Sequence, residues 1–291
     1  MRFNYGGQDV KNAFTVDVED WYQTMDFDID SSQWDKYEDR VQQNTEIILD
    51  IMDKSNTKGT FFILGCVAEK HPDLVKDIIA RGHEIGSHGM WHRMVTRQTP
   101  DEFRQDIRTS KKILEDISGT KVDLYRASSW SINKNTIWAF EILVEEGFKC
   151  DSSVQPFETP LSGMKNANCE PFYPIINNKR LDIIEFPSTV LKIGAFRLPF
   201  SGGFYLRILP YMLLSNALKL VNKSRSGMVY AHPWEIDDTQ PRLAAPFHIR
   251  LLHYANLRHT SNKLEKLLKQ FDFVPLGELL KNKKFPDVVL K

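Results

Sequence analysis

Residues 13–20 read Ala13-Phe14-Thr15-Val16-Asp17-Val18-Glu19-Asp20, and they give the first indication of the fold class. Its apolar and β-branched residues predict a strand over 13–18 that ends in acidic residues. A helical pattern follows over about 37–54, and a second β-rich run occupies 60–64. Strands and helices then alternate along the chain. The alternation predicts an α/β fold with a parallel sheet and helices outside it.

Local signals mark the ends of the later elements. Thr99 and Glu102 flank Pro100 as a capping box, which predicts the start of a helix. Two stretches, 155–180 and 237–246, lack periodicity and predict long loops. The further predicted strands lie at 83–86, 122–125, 148–151, 183–186, 228–231 and 273–275, and the further helices at 72–82, 99–119, 136–146 and 261–270.

Composition excludes several classes of protein. The 291 residues carry 38 basic and 38 acidic side chains with no basic block, so nucleic acid is not an expected partner. No run of eighteen apolar residues predicts a membrane span, and residues 1–9 lack the apolar core of an export signal. Only three scattered cysteines are present. We therefore predict a cytoplasmic protein.

Polar residues concentrate where the predicted strands end. Asp17, Glu19 and Asp20 end the first strand, and the pair His88 and His92 follows the strand at 83–86. In one turn of helix or a tight loop, a spacing of four points both imidazoles the same way, as two zinc ligands require. The carboxylates could instead cap a helix or face water, so the acidic cluster alone is weak evidence.

Two further strand ends carry unusual polar residues. Arg126 follows the strand at 122–125, and His232 follows the strand at 228–231. A surface ion pair is the plain alternative for Arg126, and a core histidine is the plain alternative for His232. Parallel strands end at one edge of their sheet, so the joint pattern favours a common site.

The ordered motifs resemble those of the polysaccharide deacetylases that carry the NodB homology domain, carbohydrate esterase family four. The resemblance is closest to the subfamily of exosortase-associated exopolysaccharide gene clusters. It covers most of the chain and implies a distorted (β/α) barrel of about seven parallel strands with loop extensions. The motifs are Thr15-Val16-Asp17-Val18-Glu19-Asp20-Trp21, Ser87-His88 to His92, Tyr125-Arg126-Ala127-Ser128, Cys150-Asp151-Ser152-Ser153 and Ala231-His232-Pro233-Trp234.

The resemblance also implies roles for single residues. Asp17 would be the general base, oriented by Arg126. His232 would be the general acid, with Asp151 as the partner that tunes its pKa. The family's commoner motif has two adjacent aspartates, so either of two carboxylates could complete the metal site here. The implied metal ligands are His88 and His92, together with Glu19 or Asp20.

The resemblance implies the substrate contacts and the identity of the metal less specifically than the catalytic residues. A backbone N–H near Ser129 would stabilise the oxyanion. Trp130 and Trp234 would stack on the sugar, although packing in the protein core is the alternative for each. After Arg126 this chain departs from the family's usual proline and tyrosine and has Ser128-Ser129-Trp130 instead. Trp21, Tyr22 and Trp91 also adjoin the motifs. We predict Zn²⁺, although Mn²⁺, Co²⁺ or Fe²⁺ suit the same ligands.

The expected activity is metal-dependent removal of acetyl groups from N-acetylated sugar units of a polysaccharide or its precursor. One alternative is a deacetylase or amidase of a small, nucleotide-linked or lipid-linked glycoside, and another is a non-catalytic carbohydrate-binding relative. We expect one NodB-like domain over 1–291, with a core at about 10–155 and 180–235. The extensions would span about 155–205 and 237–291, and no feature predicts the oligomeric state.

Overall fold

The structure is a computed structural model that describes residues 10–159 and 162–290. Residues 1–9, from which the absence of an export signal was predicted, and Pro160 of the predicted loop lie outside the described residues. The strands in chain order are β1 (Asn12–Val18), β2 (Thr60–Ile63), β3 (Glu84–Ser87), β4 (Leu124–Tyr125), β5 (Cys150–Asp151), β6 (Tyr173–Ile176), β7 (Lys179–Arg180), β8 (Ile184–Glu185), β9 (Val190–Ile193), β10 (Phe196–Pro199), β11 (Met228–Ala231), β12 (Phe273–Val274) and β13 (Asp287–Val289).

The main sheet is parallel. Its strands lie in the order β11-β1-β2-β3-β4-β5-β8, and β12 pairs with the first two residues of β1. This sheet of seven consecutive parallel strands confirms the predicted distorted (β/α) barrel. Two smaller sheets, the antiparallel pair β9 and β10 and the group β13-β6-β7, form parts of the extensions.

Helices connect the strands of the main sheet. Thr99 accepts from the backbone N–H of Glu102, whose side chain returns to the N–H of Thr99, so the predicted capping box is present. The α-helices are α1 (Val41–Lys54), α2 (Gly65–Lys70), α3 (Pro72–Ala80), α4 (Pro100–Ser118), α5 (Ala139–Glu145), α6 (Gly203–Ile208), α7 (Tyr211–Val221), α8 (Phe247–Tyr254), α9 (Thr260–Gln270) and α10 (Leu276–Leu280).

Strand β1 runs through the centre of the protein, and all seven of its residues are buried. Phe14, Val16 and Val18 belong to the larger apolar cluster, which includes the inner faces of the helices. Ala13 belongs to a second cluster inside the barrel. Because side chains alternate across a strand, Asp17 lies on the same face as Ala13 and points into the barrel.

Two predicted elements differ most from the observed ones. The helix expected from about residue 37 begins only at Val41, because residues 37–40 are irregular and Asp20 accepts from the N–H groups of Arg40 and Val41 at the helix start. The loop expected over 155–180 contains β6 and β7, which are short and carry two prolines nearby. Neither difference moves a residue of the predicted site. In the described part of the chain, no helix has the length and apolar character needed to cross a membrane.

Candidate active site

A buried ion pair between Asp17 and Arg126 lies at the centre of the site. Arg126 Nη1 donates to Asp17 Oδ1 at 2.5 Å, and both side chains are shielded from solvent. The same nitrogen donates to Thr15 Oγ1 at 2.9 Å, and Nη2 donates to Ser152 Oγ at 3.2 Å. The guanidinium therefore fixes one oxygen of Asp17 and leaves Oδ2 of that carboxylate facing the rest of the site.

Aromatic rings enclose Arg126 from two sides. Its guanidinium carbon lies 4.2 Å from the ring centre of Phe62 and 4.5 Å from that of Trp130. Trp130 is only 5% exposed. Contrary to the expectation that Trp130 contacts the sugar, its ring is part of the wall that holds Arg126.

Three buried side chains form a group suited to a metal ion. One ligand atom from each of Glu19, His88 and His92 lies within 4.8 Å of the other two. Glu19 Oε2 is 2.6 Å from His92 Nε2 and 3.8 Å from His88 Nε2, and apart from these contacts that oxygen has no hydrogen-bond partner. A carboxylate and two imidazoles are the donors that Zn²⁺ and similar divalent ions prefer. The residues therefore fit the ion that the resemblance implies.

The surroundings of His88 and Glu19 put these two side chains in the protonation states that bind a cation. His88 Nδ1 contacts the carbonyl oxygen of Arg126 at 2.8 Å, which leaves Nε2 free to face Glu19. Burial lowers the pKa of His88 to about 4, so that imidazole is neutral at physiological pH. Burial opposes ionisation of Glu19, but His92 and the neighbouring histidines prevail and lower its pKa. A neutral imidazole beside a carboxylate is the state in which both bind metal.

Asp20 lies outside this group. Its Oδ1 accepts from the N–H of Trp21 at 2.8 Å, and its Oδ2 accepts from the N–H groups of Arg40 and Val41 at 2.7 and 3.0 Å. Burial raises the pKa of Asp20 to about 7 despite these bonds. The alternative between Glu19 and Asp20 is therefore decided by geometry in favour of Glu19, and Asp20 fixes the entry to α1.

His232 completes the inner edge of the site. It follows β11 directly, and its Nε2 lies 3.8 Å from Asp17 Oδ2 and 3.8 Å from Glu19 Oε1. Its Nδ1 contacts Glu235 Oε2 at 2.9 Å. Burial alone would lower the pKa of His232, but the charge and hydrogen bond of Glu235 raise it to about 9. His232 therefore carries a proton near neutral pH and presents it to the centre of the site.

Asp151 does not pair with His232, contrary to the expectation. Asp151 and Glu185 are register partners on β5 and β8, which places their carboxyl groups together inside the protein. Asp151 Oδ1 accepts from Ser153 Oγ at 2.5 Å. Burial and mutual repulsion raise the pKa of Glu185 well above its usual range, and burial raises that of Asp151 to about 6. Two buried carboxyl groups on register-paired residues retain a proton between them.

Trp234 is also buried, contrary to the expectation that it binds substrate. Its ring stacks on His232 at 5.4 Å and on His253 at 4.3 Å between centroids. Its indole Nε1 donates to Glu19 Oε1 at 3.1 Å. Trp234 therefore holds two site residues in place and has 4% of its surface exposed.

Backbone strain marks the same region. His92, Ser129 and Trp130 have φ values of 50°, 53° and 54°, in the left-handed region that non-glycine residues rarely adopt. Each such residue costs about 1–3 kcal/mol, and strain of this kind concentrates at functional sites. Ser129 is partly exposed, so of the three predicted substrate contacts it alone has a surface that a ligand could reach.

The surroundings of His232 escaped the sequence analysis. His232 contacts Glu235, and Glu235 is bound in turn by Arg207. These two residues take the place beside His232 that was expected for Asp151. Glu235 stands three residues after His232, which is capping-box spacing and could have been noticed. Among the tryptophans beside the motifs, Trp91 is the exposed one, at 41%.

Comparison with known proteins gives two family matches. Residues 26–143 match the model described as polysaccharide deacetylase, and residues 152–281 match a domain of unknown function, DUF3473. A peptidoglycan-N-acetylglucosamine deacetylase of Bacillus cereus is 38% identical over 98 residues. That match covers 33% of this chain and 36% of the relative, so the chain spans only about a third of the length of that protein.

Solved structures agree on the fold. A crystal structure of a candidate polysaccharide deacetylase from Mycobacterium smegmatis superposes with a TM-score of 0.62 at 18% identity, over 96% of this chain and 91% of the other. The allantoinase PuuE superposes with a TM-score of 0.58 at 14% identity, over 93% and 88% of the two chains. The fold alone thus accommodates different reactions. The family match and the buried group formed by Glu19, His88 and His92 are more specific than the fold, and they show that residues 26–143 of this chain are similar to the polysaccharide deacetylase family.

Proposed function

We propose that this protein is a metal-dependent hydrolase that removes the acetyl group from N-acetylated sugar units. One observation carries the proposal: the buried group of Glu19, His88 and His92 lies beside a carboxylate and a protonated imidazole. The Bacillus cereus relative is named for deacetylation of N-acetylglucosamine, which supports an acetamido sugar as the substrate. Zn²⁺ is the ion we propose for the three ligands, since two imidazoles and one carboxylate form an open three-ligand site.

Each side chain has a definite task in this reaction. Asp17 accepts a proton from the attacking water while Arg126 holds one oxygen of the carboxylate in position. The water oxygen bonds to the acetamide carbon, and the bond from that carbon to nitrogen breaks. His232 Nε2 delivers its proton to the departing nitrogen, so acetate and a free sugar amine are the products. An ion held by Glu19, His88 and His92 would act as a Lewis acid on the acetamide carbonyl.

The oxyanion needs a second donor on the protein side. We assign this role to the backbone N–H of Ser129, in the strained turn that follows Arg126. That turn is held by a bond from the N–H of Trp130 to the carbonyl oxygen of Ala127 at 3.0 Å. The cost of the left-handed backbone would thereby serve to preorganise a donor for the transition state.

The natural substrate and the biosynthetic role are also part of the proposal. An exopolysaccharide or its precursor as the natural substrate follows from the motif resemblance, as does a place in exopolysaccharide biosynthesis. A nucleotide-linked or lipid-linked acetamido sugar is the alternative substrate.

The test is acetate release from a panel of substrates by metal-analysed protein. The panel contains N-acetylglucosamine oligomers, a nucleotide-linked N-acetyl sugar and a lipid-linked N-acetyl sugar. We expect release from at least one member, dependent on a stoichiometric divalent ion. Stoichiometric metal with no release from any member would favour the carbohydrate-binding alternative, and protein that binds no divalent ion would overturn the mechanism.

A further inference from the structure

An arginine from the DUF3473 region is buried directly behind the imidazole of His232. Arg207, at the end of α6, is 2% exposed, and its Nε donates to Glu235 Oε1 at 2.8 Å. Its other nitrogens donate to the carbonyl oxygens of His253 at 2.7 Å and Leu252 at 2.6 Å. Every side of the guanidinium is thus bound, so the position of Arg207 is determined by the fold around it.

Glu235, held by Arg207, in turn holds the imidazole of His232 in position. Its Oε1 is bound by Arg207, while its Oε2 accepts from the backbone N–H of His232 at 3.0 Å and contacts Nδ1 of the same residue at 2.9 Å. Glu235 has no surface exposed to solvent. A carboxylate with both oxygens held this way binds the N–H of the imidazole at one nitrogen, so the other nitrogen carries the transferable proton.

The same contacts join three separate segments of the chain. Arg207 ties α6 to the end of α8 and to the short turn Pro233–Ile236 that contains Glu235. The carbonyl oxygen of Arg207 accepts from Asn256 and from Lys263, which lie after α8. All of these residues fall within 152–281, the DUF3473 match. The region that the family comparison leaves without a role therefore surrounds one side of the site.

We propose that Arg207 and Glu235 are positioning residues for proton donation by His232, and that this is the contribution of the DUF3473 region to the reaction. The inference rests on the function proposed above. It assigns to Arg207 and Glu235 the task that the motif resemblance gave to Asp151, whose carboxyl group pairs with Glu185 instead.

A merely structural ion pair would have different consequences. Loss of a structural pair would reduce stability and impair every reaction of the protein to a similar extent. Loss of a positioning pair impairs the step in which a proton reaches the leaving group. An acetamido sugar must leave as an amine and needs that proton, whereas an aryl acetate leaves as a phenolate and does not.

The experiment compares the full-length Glu235→Gln and Arg207→Lys variants with wild type on both kinds of substrate. The acetamido sugar is the panel member that wild type cleaves, and the ester is 4-methylumbelliferyl acetate. The matched controls are Glu146→Gln and Arg108→Lys, since Arg108 and Glu146 also form a doubly hydrogen-bonded pair, but between α4 and the end of α5. Unfolding midpoint and bound metal are measured for every protein.

For Glu235→Gln we expect kcat on the acetamido sugar to fall about 100-fold, with KM and bound metal within about twofold of wild type. Arg207→Lys should lower the same kcat about tenfold, because lysine cannot bind Glu235 and two carbonyl groups in one plane. Ester hydrolysis should stay within about threefold of wild type. Wild-type amide hydrolysis by both variants, or equal loss on both substrates, would overturn the proposal.

A second measurement does not depend on turnover. In protein with ¹⁵N-labelled histidine, the proton between His232 Nδ1 and Glu235 should give a downfield signal that is absent in Glu235→Gln and in His232→Gln. If wild type releases no acetate from any substrate, the proposed function fails, and this signal then tests the positioning alone. Its absence from wild type would refute the inference whatever the activity.

Discussion

The two sides of the reacting centre are built in different ways. On one side, Asp17, Glu19 and Arg126 come from or directly follow strands of the sheet, and each binds its partner across the barrel. On the other side, only His232 follows a strand, and its partners Glu235 and Arg207 lie in a turn and a short helix. The first side uses the sheet itself to position charge, and the second uses side chains from helical segments outside the sheet.

The largest effect should come from removing the ion on the strand-built side. His88→Ala removes one of three ligands, so we expect no bound metal and acetate release reduced by about 10⁴-fold or more. Chelation of wild type should have the same effect, and added Zn²⁺ should restore activity to wild type only. His248→Ala is the control, because His248 is exposed and distant in sequence from the motifs. Full activity in metal-free protein would mean that the reaction does not depend on an ion held on the strand-built side.

The next largest effect concerns the carboxylate of the same side. Asp17→Asn removes the proposed base and leaves Arg126 without its charge partner, so kcat should fall about 10³-fold. Metal content should remain stoichiometric because Asp17 is not among the three ligands. Acetate release and metal analysis on one preparation give both results. A variant that loses the ion as well would show that Asp17 belongs to the metal site.

The difference between the two sides also explains what could be predicted from the sequence. Asp17, Glu19 and His88 were found because alternation along β1 and the ends of parallel strands are local patterns. Arg207 was not found because nothing in its neighbourhood distinguishes it from a surface arginine. Its burial depends on carbonyl groups of α8, more than forty residues away.

Asp151 shows that a motif can predict the strand on which a residue lies without predicting the partner of its side chain. The motif placed it correctly on β5, but the partner of a buried carboxyl group depends on which strand lies beside it. Strand β8 brings Glu185 into register with Asp151, and no local pattern at residues 184–185 announces that pairing. The sheet could be predicted from alternating elements, whereas the identity of neighbours across it required the structure.

A smaller effect should appear in stability when this pair is changed. Burial raises the pKa of Asp151 from its ordinary value of 3.8 to about 6. A raised carboxyl pKa means that its stabilising contribution is complete below pH 3.8 and is lost as the pH rises past about 6. Wild type should therefore lose about 2–3 kcal/mol relative to Asp151→Asn over that window.

The measurement is the free energy of unfolding in urea at pH 4 and pH 8 for both proteins. Ser162→Ala, a change in a partly buried loop residue that does not titrate, serves as the control. Parallel pH profiles for wild type and Asp151→Asn would mean that the pair does not hold a proton. A variant whose acetate release changes its pH dependence would instead return Asp151 to the surroundings of His232.

The smallest effect should come from the solvent side of the ligands. Trp91 stands directly before His92 and is 41% exposed, with its ring 6.1 Å from that of the buried Trp34. An exposed ring supported from behind is suited to stacking on a sugar, so Trp91→Ala should raise KM about five- to tenfold with kcat nearly unchanged. Trp91→Phe keeps a ring and should recover part of that loss. A fall in kcat with unchanged KM would instead mean that Trp91 supports the strained backbone of His92, and the exposed aromatic surface would then belong to the metal site rather than to substrate binding.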